Sequence, residues 1–358
     1  SRRAFLRFKR NRAALGGLIA LVVIALFCAL GPALSPHAYD QVYRDYVKTP
    51  PSFAAHPTNK EQATILERIA ERLGADVVAA APSASDARAT LQAPKAIDET
   101  LLLDAFTRSN VFADAHIVAT EDEGRRLILE TRVRRETFLL GADSNGRDLL
   151  TRLMVGGRVS LLVGALASSV ALVIGVAYGS IAGYSGGRLD ALMMRIVDIL
   201  YALPFVFFVI LLVVVFGRHF VLVFVAIGAV EWLDMARIVR GQTLSLKRQD
   251  YVLAAEALGA RAGGVLIRHI VPNLVGPVIA YLTLVAARVI LLESFLSFLG
   301  LGVQEPMTSL GALIADGARN IEDAPGMLLF PAALLSAILL ALSVVGEGVR
   351  DALDVRGH

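Results

Sequence analysis

The chain contains one cysteine, Cys28, which excludes an internal disulfide framework; it lies inside an apolar run, where a buried structural thiol is the ordinary reading. Six histidines, at positions 37, 56, 116, 219, 269 and 358, show neither HxxH nor HxxxH spacing, so no cluster stands at metal-ligand spacing and no metal site is expected. No Gly-Lys dipeptide occurs, and with it no G-x-x-x-x-G-K-[ST] loop that would cradle nucleotide phosphates. Charge is scarce as well. Charged residues make up 19% of the 358 positions against 56% hydrophobic, and mean hydropathy is +0.62, values that exclude an ordinary water-soluble domain. The 35 Lys and Arg and the net charge of +3 would hint at nucleic acid in a soluble protein, but in a membrane protein they report topology first, and no nucleic-acid partner is expected.

What remains is apolar. A helix needs about 20 mostly apolar residues to cross the hydrocarbon core, because no water there satisfies stray backbone groups. Six segments qualify. Residues 13–34, 159–183 and 327–345 run apolar, while 196–216 carries Asp198, 219–237 turns polar at Glu231 and Asp234, and 272–300 carries Arg288 and Glu293. The expectation is an all-α polytopic membrane protein with six transmembrane helices. The first run has a basic leader like a signal peptide, but it is longer than a usual h-region and lacks an A-x-A pattern, so it reads as a retained helix.

Lys and Arg are held on the cytoplasmic side during insertion. With the N-terminus inside, the pieces 1–12, 184–195, 236–271 and 349–358 collect 16 basic residues, whereas the short outside loops hold only Arg218 and Arg319. The expected topology has both termini on the cytoplasmic side of the membrane.

Between the first two spans lies a long polar segment. Residues 35–156 carry 15 basic against 18 acidic residues, a normal solvated surface. Thr58-x-x-Glu61 fits a capping box, and Ile65, Leu66, Ile69 and Leu73 then share one face before Gly74, which predicts a helix over 60–73. Residues 76–80, 115–119 and 126–133 read as strands, 98–108 as a second helix and 81–95 as a loose Pro/Ser/Ala-rich connection. The expected division is 1–34 as N-terminus and first helix, 35–140 as a small α+β insert on the outer side, 141–350 as the core with a cytoplasmic loop at 236–271, and 351–358 as a tail.

That loop is patterned. Tyr251–Leu258 is strongly helix-forming, Gly259 ends it, and Ala262–Gly264 precedes a second run up to Pro272. Small residues at Ala254, Ala255 and Gly259 let another protein approach closely, which makes this a docking element; an amphipathic helix resting on the inner leaflet is the competing reading. Inside the spans, Arg288 and Glu293 are candidates for the translocation pathway, since a charge at a helix centre costs about 2.5–3.5 kcal/mol to insert; a structural ion pair is the alternative. Local Asp234–Arg237 and Arg195–Asp198 pairs are expected by helical spacing, and Pro204 is expected to kink its helix. The sequence Gly183-Tyr184-Ser185-Gly186-Gly187 satisfies a serine-hydrolase elbow, but without a strand or a neighbouring histidine it reads as a turn between helices.

Ala254-Ala255, Gly259 and Pro272 resemble the cytoplasmic "EAA" signature of binding-protein-dependent ABC importer permeases. Blocks 141–161, 183–200, 232–248, 268–273 and 293–306 are similar to the second, C-type permease subunit of oligopeptide and dipeptide importers. The resemblance covers 1–40 and 140–358. It departs where the leading glutamate of the signature is Leu253, with Glu256 as the nearest acid, where Leu310 replaces a common tryptophan, and in the size of the insert at 45–138. It implies a permease that is not itself an enzyme: a periplasmic peptide-binding protein delivers an oligopeptide to two homologous permease subunits, and two cytoplasmic ATPase subunits, which hold the ATP and Mg, dock on Ala254, Ala255, Glu256, Ala257, Leu258, Gly259, Ala260 and Arg261. Dipeptides, peptide-like antibiotics or nickel complexes are alternative cargoes, and an ATP-independent secondary transporter is a further alternative.

Overall fold

The computed structural model describes residues 2–217 and 220–353. Arg218, expected in an outside loop, and the tail beyond Leu353 lie outside the described residues. The contacts divide the chain into two compact units, one of 1–34, 153–315 and 329–358, the other of 35–152 and 316–328.

The first unit is helical. Short α1 (Arg2–Arg10) leads into α2 (Arg12–Leu34), where Cys28 is 1% exposed. Four helical stretches among the described residues are long and apolar enough to cross a membrane: α2, Leu149–Ser185, Ala262–Phe298 and Gly326–Leu353. A fifth is obtained if Gly187–Tyr201 and Phe205–Phe216, bent by 74°, count as one span. The bend falls where Pro204 precedes the second piece, because its ring removes a donor and restricts the residue before it. The protein is thus a polytopic α-helical membrane protein with a small β-sheet insert.

The insert, in the second unit, carries α3 (Asn59–Arg72), β1 (Asp76–Pro82), β2 (Asp86–Gln92), α4 (Glu99–Thr107), β3 (Phe112–Glu121) and β4 (Arg126–Val133). Both bonds of the Thr58/Glu61 capping box form, and Asp98 caps α4 by accepting from the amides of Thr100 and Leu101. The sheet is antiparallel in order β1-β2-β4-β3. Residues 81–95 are not a loose connection: they contain β2, hydrogen-bonded on both sides. Its inward positions are Ala87, Ala89 and Leu91, each at most 1% exposed, and alanines make the alternation of a strand faint in the sequence. These residues join Leu66, Phe106, Phe112, Leu127 and Phe138 in one apolar core.

After α5 (Leu149–Ser185) come α6 (Gly187–Tyr201), α7 (Phe205–Phe216), α8 (Phe220–Leu246), α9 (Asp250–Ala257), α10 (Ala262–Val265), α11 (Val271–Phe298), α12 (Leu310–Arg319) and α13 (Gly326–Leu353). Gly175, Gly179 and Gly183 form a stripe on α5 at four-residue spacing that meets α8. A Cβ on Gly179 would lie 2.3 Å from the Ala236 carbonyl oxygen, and one on Gly175 2.5 Å from Met235 Cγ, so the two backbones approach through glycine. Small residues at such an interface replace the hydrophobic drive that lipid cannot supply.

Candidate functional site

The segment singled out by the sequence as a docking candidate continues beyond α8, which holds its first residues up to Leu246. α9 starts after Gln249, which makes no side-chain cap bond, and closes in a Schellman turn: the Gly259 N–H donates to the Glu256 carbonyl (2.9 Å) and the Ala260 N–H to the Ala255 carbonyl (3.0 Å). Gly259 sits at φ +85°, a left-handed conformation open to glycine without Cβ strain. The chain then re-enters helix at α10, passes a single π-turn at Leu266–Ile270 and continues as α11. Val252, Val265 and Ile270 are buried and anchor the segment to the helical core, and Ala255 packs beside them. The opposite surface is open: Ala254, Ala257, Leu258, Gly259, Ala260 and Arg261 are exposed, Leu258 at 89%. The result is a rigid, shallow knob of small side chains on a buried base.

Glu256 is engaged within the subunit. Its Oε1 accepts a hydrogen bond from the Tyr184 hydroxyl (2.8 Å), and Lys247 Nζ donates to the Tyr184 carbonyl (2.6 Å). Leu253, at the position of the family glutamate, is half exposed. Tyr184 lies in the G-x-S-x-G sequence, which is a helix end and turn rather than a strand-to-helix elbow: α5 stops at Ser185 and α6 starts at Gly187.

The charges within the helices pair across helices, not along them. Asp234 does not pair with Arg237; its Oδ2 accepts from Arg288 Nη1 on α11 (2.5 Å). Arg237 reaches Asp198 on α6 (2.8 Å) and lies 4.5 Å from the centroid of the Tyr201 ring, so the expected Arg195–Asp198 pair is replaced too. Neighbouring helices brought the opposite charge closer than a same-helix turn did. Arg240 makes a two-pronged bond to Asp190, both contacts 2.6 Å, joining α6 and α8.

The two candidate pathway residues have different surroundings. The Arg288 side chain is 45% exposed, its partner Asp234 22%. Glu293 is 0% exposed; its Oε2 accepts from Ser160 of α5 (2.8 Å) and its Oε1 from Ser297 (2.7 Å). Ser309 lies 3.1 Å from the Ser297 hydroxyl, and the Leu310 N–H donates to Ser160 (3.3 Å). Glu293 is therefore the centre of a serine cage joining α5, α11 and the start of α12. Periodicity marked both residues as unusual but carried no sign of those serines, whose contacts span up to 150 residues along the chain.

Among the described residues no group of three or more His, Cys, Asp or Glu side chains could hold a metal ion. The described residues thus define a polytopic membrane subunit, a bundle of apolar helices with an exposed knob between α8 and α11. Residues 175–356 match the family described as the inner-membrane component of binding-protein-dependent transport systems, and residues 1–51 match the N-terminal membrane domain of oligopeptide transport permease C. The chain belongs to this family of ABC importer permeases, in the oligopeptide and dipeptide group; it is a transport permease and not itself catalytic. It is 42% identical to the oligopeptide transport system permease protein OppC of Haemophilus influenzae over 304 residues, 84% of this chain and 98% of that one. With OppC of Escherichia coli K12 the identity is 53% over 60% of this chain and 71% of the relative, and with the dipeptide permease DppC of Bacillus subtilis it is 45% over 60% and 67%.

Proposed function

We propose that this chain forms half of the path by which an ATP-driven importer carries oligopeptides across the inner membrane, paired with a second, homologous permease. Peptide is the cargo that the relatives' names state, and dipeptides are the nearest alternative. In this reading α8 is the sixth span: its 27 residues make about 40 Å of helix, enough to cross, and Asp234, Arg237 and Arg240 are paired with α11 and α6. Both termini and the segment 247–271 then face the cytoplasm, the first part of the expected 236–271 loop being the end of α8, with the 35–140 insert in the periplasm, where a binding protein delivers cargo.

The observation that carries the mechanism is the exposed Ala254–Arg261 knob on its buried base. Two ATPase subunits holding ATP and Mg dock there, one on each permease. ATP binds the closed ATPase pair more tightly than the open one, and that difference draws the knobs together and rocks the attached helices, moving the opening from one face to the other. Because α9 and α10 are short and anchored by Val252 and Val265, they transmit a push that a loose loop would absorb. Arg288 lines the pathway, and Glu293 shapes it by holding α5 and α11 together.

The test is purification with the neighbouring subunits. The ATPase co-elutes with the unmodified chain, and Ala255→Trp or Gly259→Trp abolishes both co-elution and ATP-dependent import. Import by vesicles holding this chain and no ATPase would support a secondary transporter instead.

A further inference from the structure

We infer that Glu231 and Asp234 of α8, with Arg288 of α11, form a binding site for the free amino terminus of the transported peptide, its α-ammonium group. This rests on the reading of the chain as a peptide permease and adds to it which end of the cargo is held.

Glu231 and Asp234 are one turn apart near the middle of α8, and Arg288 faces them from α11. Tyr281, two turns before Arg288 on the same face of α11, is within Coulombic range of all three. Two carboxyl groups stand against one guanidinium, so one of the two is left without a cationic partner. Arg288 is engaged with Asp234, while Glu231 is 5% exposed and its Oε2 has no hydrogen-bond partner, although it senses both charges. A buried carboxylate oxygen without a donor is an unfilled acceptor.

The complement of that deficit is a compact cation with several donors. An α-ammonium supplies one charge and three N–H groups, enough to reach Glu231 and Asp234 together. A peptide's carboxylate fits poorly, since it would have to displace Asp234 from Arg288 and then face both carboxylates. Arg288 and Asp234 are the partly open members, so cargo meets them first, with Glu231 as the inner acceptor.

The experiment uses the whole importer in proteoliposomes with its binding protein. Two peptides of one sequence are compared, one with a free and one with an acetylated amino terminus, each import rate being scaled to the fraction of binding protein loaded. Glu231→Gln is expected to lower import of the free peptide about tenfold relative to the acetylated one, the loss of one hydrogen bond to a charged group; Asp234→Asn acts in the same direction. An equal fall for both peptides, or no fall, overturns the inference and leaves the permease reading intact. An unmodified importer that moves neither peptide overturns the permease reading itself. Where Glu231→Gln fails to assemble, or acetylated peptide is not delivered, photo-crosslinking in the unmodified complex decides: a reactive group on the first residue of the peptide labels α8 or α11 beside these side chains. Labelling there only from the last residue, or from neither end, overturns the inference.

Discussion

The Tyr184 hydroxyl donates to Glu256 at 2.8 Å, tying the last turn of α5 to the last turn of α9. Lys247 adds a second tie by donating to the Tyr184 carbonyl, with its ammonium 5.0 Å from the centroid of the Tyr184 ring. The base of the knob is thus set by two different helices as well as by its own.

Tyr184→Phe removes that bond and leaves Glu256 without it. A net loss of about 1 kcal/mol is expected locally, so amide hydrogen exchange over 250–261 rises roughly fivefold while assembly of the core helices is retained. Coupled import falls with it. Unchanged exchange in this segment would show that Tyr184 does not hold the knob.

Gly259 offers a sharper test because its requirement is backbone conformation, not space: a Cβ at this position would meet nothing within 4 Å, yet φ is +85°. Gly259→Val should cost about 1–2 kcal/mol through left-handed strain, and Gly259→Asn, which tolerates that region, should cost less. ATPase co-elution measured for the two variants should follow this order. Equal effects would point to the added side chain at the interface as the cause.

Helix packing gives a third outcome. Gly179→Leu forces a side chain into the Ala236 carbonyl, which a Cβ would already approach to 2.3 Å, and should separate α5 from α8, seen as lost yield and a lower Tm in detergent. Gly16→Leu, where nothing lies within 4 Å, is the control expected to be silent.

The insert should respond to acid. Burial pushes the Glu61 carboxyl up, but hydrogen bonds from the Thr58 backbone and from His56 outweigh it and hold the group below its usual 4.5. A depressed folded value means that Glu61 stabilises the start of α3 at pH above 4.5, and that this contribution is lost as pH falls through the lower, folded value. Exchange protection of 59–72 should therefore drop in that window in the unmodified chain. Glu61→Gln should show weaker protection at neutral pH and a flatter response to acid.

Elements governed by local physics are legible along the chain. The capping box at Thr58 and Glu61, the helix that follows, β4 and the glycine stop at Gly259 each depend on residues a few positions apart, and each is visible as spacing. The long apolar runs are legible for a related reason: crossing lipid constrains composition along one continuous segment. β2 was hidden because its inward face is mostly alanine, whose weak hydrophobic contrast does not announce an alternation.

The amino-acid order by itself determined the membrane class, the apolar segments and the glycine-ended helix of the exposed knob, since hydrocarbon and helix ends both act on nearby residues. Only the tertiary structure decided which charges pair: Arg237 with Asp198, Arg288 with Asp234, and Glu293 with serines from two helices. An ion pair is chosen by distance in space, and in a helical bundle the nearest opposite charge stands on a neighbouring helix, at a separation that no local period encodes.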